Sequence, residues 1–227
     1  MPKNNKIIDN LDLIKKEINE ACTIAKRKVE SINLVAVSKT IESLYICEAA
    51  KYGQIAFGEN KVQEAKKKWP QIKKLYPKTR LHMIGPLQSN KVKEALQIFD
   101  VIETVDREKI VVELVKNKKN CQIFPDLYVQ INIGEEKQKN GCSPVEAKSF
   151  INDCFSYGLN IKGVMGIPPV DVEPAPYFAL LTKIAKESNL NNVSMGMSND
   201  FAKAIYLGAT SIRIGTKIFG ERETNKS

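Results

Sequence analysis

The chain has 227 residues, with 35 Lys and Arg against 26 Asp and Glu, a formal net charge of +9 and a single histidine. Its 43% hydrophobic and 27% charged residues are the balance of a globular protein and exclude wholesale disorder. No run approaches the roughly 20 apolar residues of a membrane helix, and at about 150 residues per domain the length allows one large domain or two small ones.

The first twenty residues alternate charged and apolar positions at helical spacing. They lack the continuous apolar stretch of a secretory signal, which points to a cytoplasmic protein, and they predict a helix around 10–30. Short β-branched runs then alternate with amphipathic segments. Strands are predicted at 34–37, 55–57, 81–84, 101–103, 127–131, 161–165, 192–194 and 211–214, with helices at 41–52, 61–75, 90–98, 107–119, 144–157, 174–188 and 200–207. Asp106 is expected to cap the helix that starts at Arg107, and Ser143 to cap one with Pro144 in its first position. Gly53, Gly158 and Gly208 each follow a helix, where a left-handed residue ends the turn.

Repeated strand–helix alternation implies a parallel sheet with helices outside it. About eight such units in about 200–250 residues match a (β/α)8 TIM barrel. The expectation is an α/β protein of one domain over 1–227, with an extra N-terminal helix and a polar tail at 220–227. An open, doubly wound sheet stays the alternative, because periodicity does not reveal whether a sheet closes.

Cys22, Cys47, Cys121, Cys142 and Cys154 form an odd set without a CxxC pair, which argues for reduced thiols over disulfides or a metal site. Lys66, Lys67, Lys68, Lys73, Lys74, Lys78 and Arg80 cluster around Trp69 and Tyr76, and Lys116, Lys118 and Lys119 follow. Such a cluster can be a phosphate-backbone footprint. The preferred reading is a solvated helix face, without nucleic-acid binding.

In a barrel of this kind, chemistry belongs at the carboxyl ends of the strands. Lys39 follows the apolar run LVAV. Low-dielectric surroundings lower a lysine pKa and prepare the amine for Schiff-base chemistry, although a lysine that merely ends a strand in solvent would look the same. SMGMSND, ahead of the last predicted helix, offers backbone N–H groups to an anion, and RIGTKIFG adds Arg213, Gly215 and Thr216. Loops after strands seven and eight are the usual phosphate site of such barrels. A Schiff-base lysine facing a phosphate cup suits pyridoxal 5′-phosphate. His82 reads either as a core histidine or as a ring neighbour, and Asn60 as a cofactor ligand, a helix cap or both.

VAVSKT, FGENKVQEA, HMIGPLQSNK, GVMGI, SMGMSNDFAKAI and SIRIGTKIFGER, in this order over nearly the whole chain, resemble the motifs of the pyridoxal phosphate homeostasis protein family. These are small barrels similar to the N-terminal domain of alanine racemase. The resemblance implies that Lys39 holds the cofactor as a Schiff base. It further implies that Ser194, Gly196, Ser198, Gly215 and Thr216 surround the phosphate, that Arg213 faces the pyridine nitrogen, and that Asn60, His82, Met165 and Met195 line the ring. An arginine at that nitrogen keeps it unprotonated and weakens the ring as an electron sink, in line with a family that lacks robust turnover.

The resemblance thus implies cofactor homeostasis by a monomer, with apo-enzymes that receive the cofactor as partners. An amino-acid racemase or a Schiff-base lyase is the alternative. Two positions depart from the family pattern: Leu81, where a tryptophan is frequent, and Gly166, where Thr or Cys is. Both are expected to alter packing around the ring. The length is expected to leave no room for the second domain with which alanine racemase brings a catalytic tyrosine, and Tyr45 does not replace it.

Overall fold

The computed structural model describes residues 3–221, and the predicted tail from 222 onward lies outside them. Eight parallel strands close into a barrel in chain order: β1 (Asn33–Val37), β2 (Ala56–Glu59), β3 (Arg80–Met83), β4 (Val101–Val105), β5 (Asp126–Ile131), β6 (Ile161–Gly166), β7 (Asn192–Ser194) and β8 (Ser211–Ile214). β8 pairs with β1 through Leu34 and Ile212, so the sheet has no edge and the open-sheet alternative falls.

The surrounding helices are α1 (Lys3–Ile24), α2 (Ser43–Lys51), α3 (Val62–Leu75), α4 (Val92–Ala95), α5 (Glu108–Lys118), α6 (Ala147–Ser156), α7 (Ala175–Glu187), α8 (Phe201–Tyr206) and α9 (Thr216–Phe219). α1 starts earlier than predicted and stops at Ile24, ahead of Lys26 at φ 52°. Its buried stripe of Ile7, Leu11, Ile14, Ile18 and Ala21 recurs every three or four residues. That stripe packs on α2, α8 and α9, so α1 fills the place in the outer ring that the single-turn α9 leaves open.

Several local expectations shift. The helix predicted at 90–98 is a 3₁₀ turn, Ser89–Lys91, followed by the short α4. Asp106 does not cap α5; it is buried and pairs with Arg107, the residue at the cap position. α6 begins at Ala147, and Ser143 bonds Glu146 one turn earlier: its Oγ accepts the Glu146 N–H and donates to the Glu146 carboxylate. Gly53, Gly158 and Gly208 all have positive φ.

Strand alternation divides the side chains into two layers. Phe57, Leu81, Ile102, Val129, Val164 and Ile212 face the helices and join one continuous apolar core. The inner layer is unusually polar: Arg80, His82, Glu103, Tyr128, Gln130, Ser194 and Arg213 share it with Val35, Ala56 and Met165. A glycine is obligatory at position 163, because a Cβ there would stand 2.7 Å from the Tyr128 ring.

Candidate functional site

Two residues past the end of β1 the chain reverses in a tight turn closed by the Ile41 N–H donating to the Ser38 carbonyl at 3.0 Å. Lys39, half-buried, occupies the second position of this turn and Thr40 the third. Thr40 sits at φ 66°, which type II turns reserve for glycine and which strains a β-branched residue. The strained amide is satisfied from α3: Thr40 N–H donates to Glu64 Oε1 at 2.6 Å.

Behind this turn, between sheet and helix, lies a buried polar cluster. Glu59 Oε1 accepts hydrogen bonds from Ser38 Oγ (2.8 Å) and Trp69 Nε1 (3.2 Å) and pairs with Lys68 Nζ at 2.8 Å. Burial pushes the Glu59 carboxyl above the usual carboxylate range, only partly offset by Lys68. Glu64, also beside Lys68 but less enclosed, feels burial in the same direction, yet its bonds to Lys68 and Thr40 hold it below that range.

Inside the barrel a second polar chain runs from β3 to β8. His82 Nδ1 lies 2.6 Å from Glu103 Oε1, and Ser194 Oγ donates to Glu103 Oε2 at 2.6 Å. Arg213 Nη1 donates to Ser194 Oγ at 2.5 Å, and its Nη2 donates to the Gly166 carbonyl at 3.0 Å. β4 and β7 are not neighbours, so the Glu103–Ser194 bond can only cross the interior. Burial penalises the Glu103 charge, but the hydrogen bond and charge of His82 and the charge of Arg213 outweigh it and hold the carboxyl low. Burial lowers the Arg213 pKa, with Glu103 and Asp200 opposing.

On the rim, the loops after β7 and β8 meet. Thr216 Oγ1 donates to Ser198 Oγ at 3.2 Å, and Arg213 N–H donates to the Gly196 carbonyl at 3.0 Å. Gly196, at φ 91°, lets the loop fold down onto α8; a Cβ there would stand 2.6 Å from that of Ala204. Because β8 pairs with β1, Gly215 packs on Val37, and a Cβ at Gly215 would lie 3.3 Å from Val37 Cβ. The Lys39 turn and the two-loop cup are therefore side by side on one arc of the carboxyl rim.

Asn60, after β2, is next along this rim. It packs so closely on Gly85 that a Cβ there would come within 2.6 Å of the asparagine's own, and its Oδ1 is buried without a hydrogen-bond partner. The expectation that Asn60 caps the following helix fails: Lys61 is at the cap position, with no side-chain cap. A cavity of about 200 Å³ on the opposite arc, lined by Ile84, Gln130, Asn132 and Lys139, contains none of the predicted site residues.

Lys39, Asn60, His82, Met165, Gly196, Ser198, Arg213, Gly215 and Thr216 thus fall on the inner layer or the rim. Two predicted residues do not fit their expected places. Met195 is fully buried in the apolar core outside the sheet, since strand parity turns it away from the interior that holds Ser194. Ser194 lies inside the barrel with its single hydroxyl proton committed to Glu103, which leaves it an Arg213 partner and not an anion donor. Leu81 and Gly166 also face the helices, against the expectation that they alter ring packing. Leu81 belongs to the outer core, and a Cβ at Gly166 would press on Ile133 and Leu181 at 3.0 Å.

The lysine run needs a similar correction. Lys66, Lys67, Lys74 and Lys78 are exposed, but Lys68 is tucked under the Lys39 turn and Lys73 pairs with Asp100. Sequence reading missed Glu103, Glu59 and Lys68. The one usable signal was Glu103 itself, a lone charge inside the β-branched run VIETV.

Among the described residues, no cluster of three or more His, Cys, Asp or Glu side chains could hold a metal ion, and no helix is long and apolar enough to cross a membrane. No protein-family model matches the chain. A Pasteurella multocida protein named pyridoxal phosphate homeostasis protein is 36% identical over 233 residues, spanning 97% of this chain and 99% of its own. The structure of PipY from Synechococcus elongatus with PLP bound superposes with a TM-score of 0.76 at 31% identity, covering 90% of this chain and all of that one. Alanine racemase from Acinetobacter baumannii shares the fold, with a TM-score of 0.70 at 17% identity over 99% of this chain and 64% of its own. With a relative this similar end to end and the same closed barrel, the chain belongs to the pyridoxal phosphate homeostasis protein family.

Proposed function

We propose that this protein binds pyridoxal 5′-phosphate as a Schiff base on Lys39 and serves intracellular vitamin B6 homeostasis without robust turnover. The observation that carries the reading is the β8–β1 pairing, which puts the Lys39 turn beside the Ser198–Thr216 cup. The residues fit the group. Asn60 Oδ1 is a buried acceptor in need of a donor, the cup offers two hydroxyls and the N–H groups opening α9, and Arg213 has more N–H groups than its two bonds use. The family relatives, named for pyridoxal phosphate, and PipY with PLP bound support the same ligand.

When bound, pyridoxal phosphate supplies an aldehyde and an aromatic ring that can accept electrons. Lys39 would hold the group covalently, its primary amine being able to condense with that aldehyde with loss of water. Ser198, Gly215 and Thr216 would hold the phosphate. Arg213, held by Ser194 and Gly166, would meet the ring nitrogen as a cation that does not give up its proton, which would leave that nitrogen unprotonated and the ring a weak electron sink. That is the chemistry of a holder, suited to passing the cofactor to apo-enzymes. Free cysteines throughout the described residues support a cytoplasmic location, and we take the chain as a single-domain monomer.

The experiment is an absorption spectrum of the purified protein with borohydride trapping and peptide mapping. A yellow protein whose reduced adduct maps to Lys39, with the band lost in Lys39→Ala, is expected. A colourless protein that does not take up the cofactor would overturn the reading. So would vigorous amino-acid racemisation or carbon–carbon cleavage, which would favour the racemase or lyase alternative.

A further inference from the structure

The turn that presents Lys39 is gripped from outside the barrel by α3. Lys68, whose side chain is only 13% exposed, sends its ammonium under the turn. Its Nζ donates to the Ser38 carbonyl at 3.0 Å and to the Ile41 carbonyl at 3.2 Å, the two ends of the turn. The same nitrogen meets Glu64 Oε1 and Glu59 Oε1, each at 2.8 Å. An ammonium has three donors, so this head is fully engaged. Glu64 Oε1 in turn accepts the Thr40 N–H, the amide of the strained residue of this turn. Both carbonyls flanking Lys39–Thr40 and the amide within are thus tied to one partly buried ion pair. Strain of this kind persists only where the surroundings over-determine it.

We infer that Lys68 and Glu64 form a clamp that positions Lys39, holding its turn in the one conformation that presents the amine to an aldehyde. The inference rests on the reading that Lys39 condenses with pyridoxal phosphate. The clamp touches neither the phosphate cup nor Arg213, so it acts on the covalent step and leaves ligand docking alone. Its residues lie on the helix side of the sheet, and their effect on the site passes through the backbone of Ser38, Thr40 and Ile41.

The test mixes the full chain, stripped of carbonyl ligands, with pyridoxal phosphate in a stopped-flow spectrometer. Affinity for pyridoxine 5′-phosphate, the alcohol that cannot condense, is measured alongside. Lys68→Met and Glu64→Ala are expected to slow condensation at least about tenfold, the scale of a misplaced reacting group, and Lys68→Arg to restore most of the rate. Affinity for pyridoxine phosphate should stay within about threefold, while Thr40 amide exchange quickens and that of Val35 does not. Wild-type condensation rates in folded Lys68→Met or Glu64→Ala overturn the inference, as does an equal loss of pyridoxine phosphate affinity. Should Lys68→Met fail to fold, Glu64→Ala decides, since it keeps the Lys68–Glu59 pair. Undiminished condensation in Lys39→Ala would instead overturn the functional reading, and this inference with it.

Discussion

His82 Nδ1 and Glu103 Oε1 meet at 2.6 Å inside the barrel, and through Ser194 the same carboxylate reaches Arg213. The only histidine of the chain and the most buried arginine among the described residues are thereby linked through one acid. Removing that acid leaves the Arg213 cation without its counter-charge and the His82 ring nitrogen without its acceptor. Glu103→Ala is expected to cost about 3–5 kcal/mol in urea unfolding, the range for a broken buried pair. A cost under about 1 kcal/mol, typical of exposed pairs, would mean the interior is wet enough to solvate Arg213.

Two buried glutamates should answer to pH with opposite signs. An unfolded glutamate titrates near about 4.3. Glu103 is held below that in the folded protein, so its contribution is complete above the unfolded value and is lost as pH falls through the folded one. Glu59 is pushed above it, so stability declines as pH rises from the unfolded value to the folded one. Urea midpoints across the acid range should show the wild type losing its lead over Glu103→Gln toward low pH. Glu59→Gln should gain on the wild type as pH rises through its window.

The two methionines of the site motifs should separate cleanly. Met195 packs in the outer core, so Met195→Ala is expected to cost about 2–5 kcal/mol while the absorption band of bound cofactor keeps its position. Met165 lies in the inner layer, where Met165→Ala should shift that band or weaken binding. Spectra of the two variants at equal occupancy, with their melting curves, check the assignment.

One glycine ending a strand and one in a rim loop make a similar contrast. Gly166→Ala pushes a methyl against Ile133 and Leu181, an overpacking that should cost about 1–3 kcal/mol without changing phosphate affinity. Gly196→Ala places a Cβ 2.6 Å from Ala204 in a backbone of positive φ, so the loop must move. Affinity for pyridoxine phosphate should fall in Gly196→Ala alone, as read by calorimetry.

Much of the barrel was legible because each strand and helix carries its own period. Segment 127–131 reads as a strand from its β-branched residues, and 61–75 as a helix from buried Val62, Ala65, Trp69 and Ile72. Lys39, Asn60 and the two glycine-bearing loops were legible because turns and strand ends have a local chemistry. The α4 region was less so, since its helical pattern over 90–98 is interrupted by a 3₁₀ turn.

What the sequence determined by itself was the order of elements, their number of about eight strand–helix units, and the rim positions of Lys39, Ser198, Gly215 and Thr216. Parity and long-range pairing came only with tertiary structure. Ser194 and Met195 are adjacent in sequence, but a strand sends them to opposite faces, one into the polar interior and one into the apolar core. Lys68 reads as another surface lysine until α3 is docked, when its ammonium lies within hydrogen-bond reach of Ser38 and Ile41, about thirty residues away. Local pattern records which residues face the same way; closing the barrel decides which of them meet.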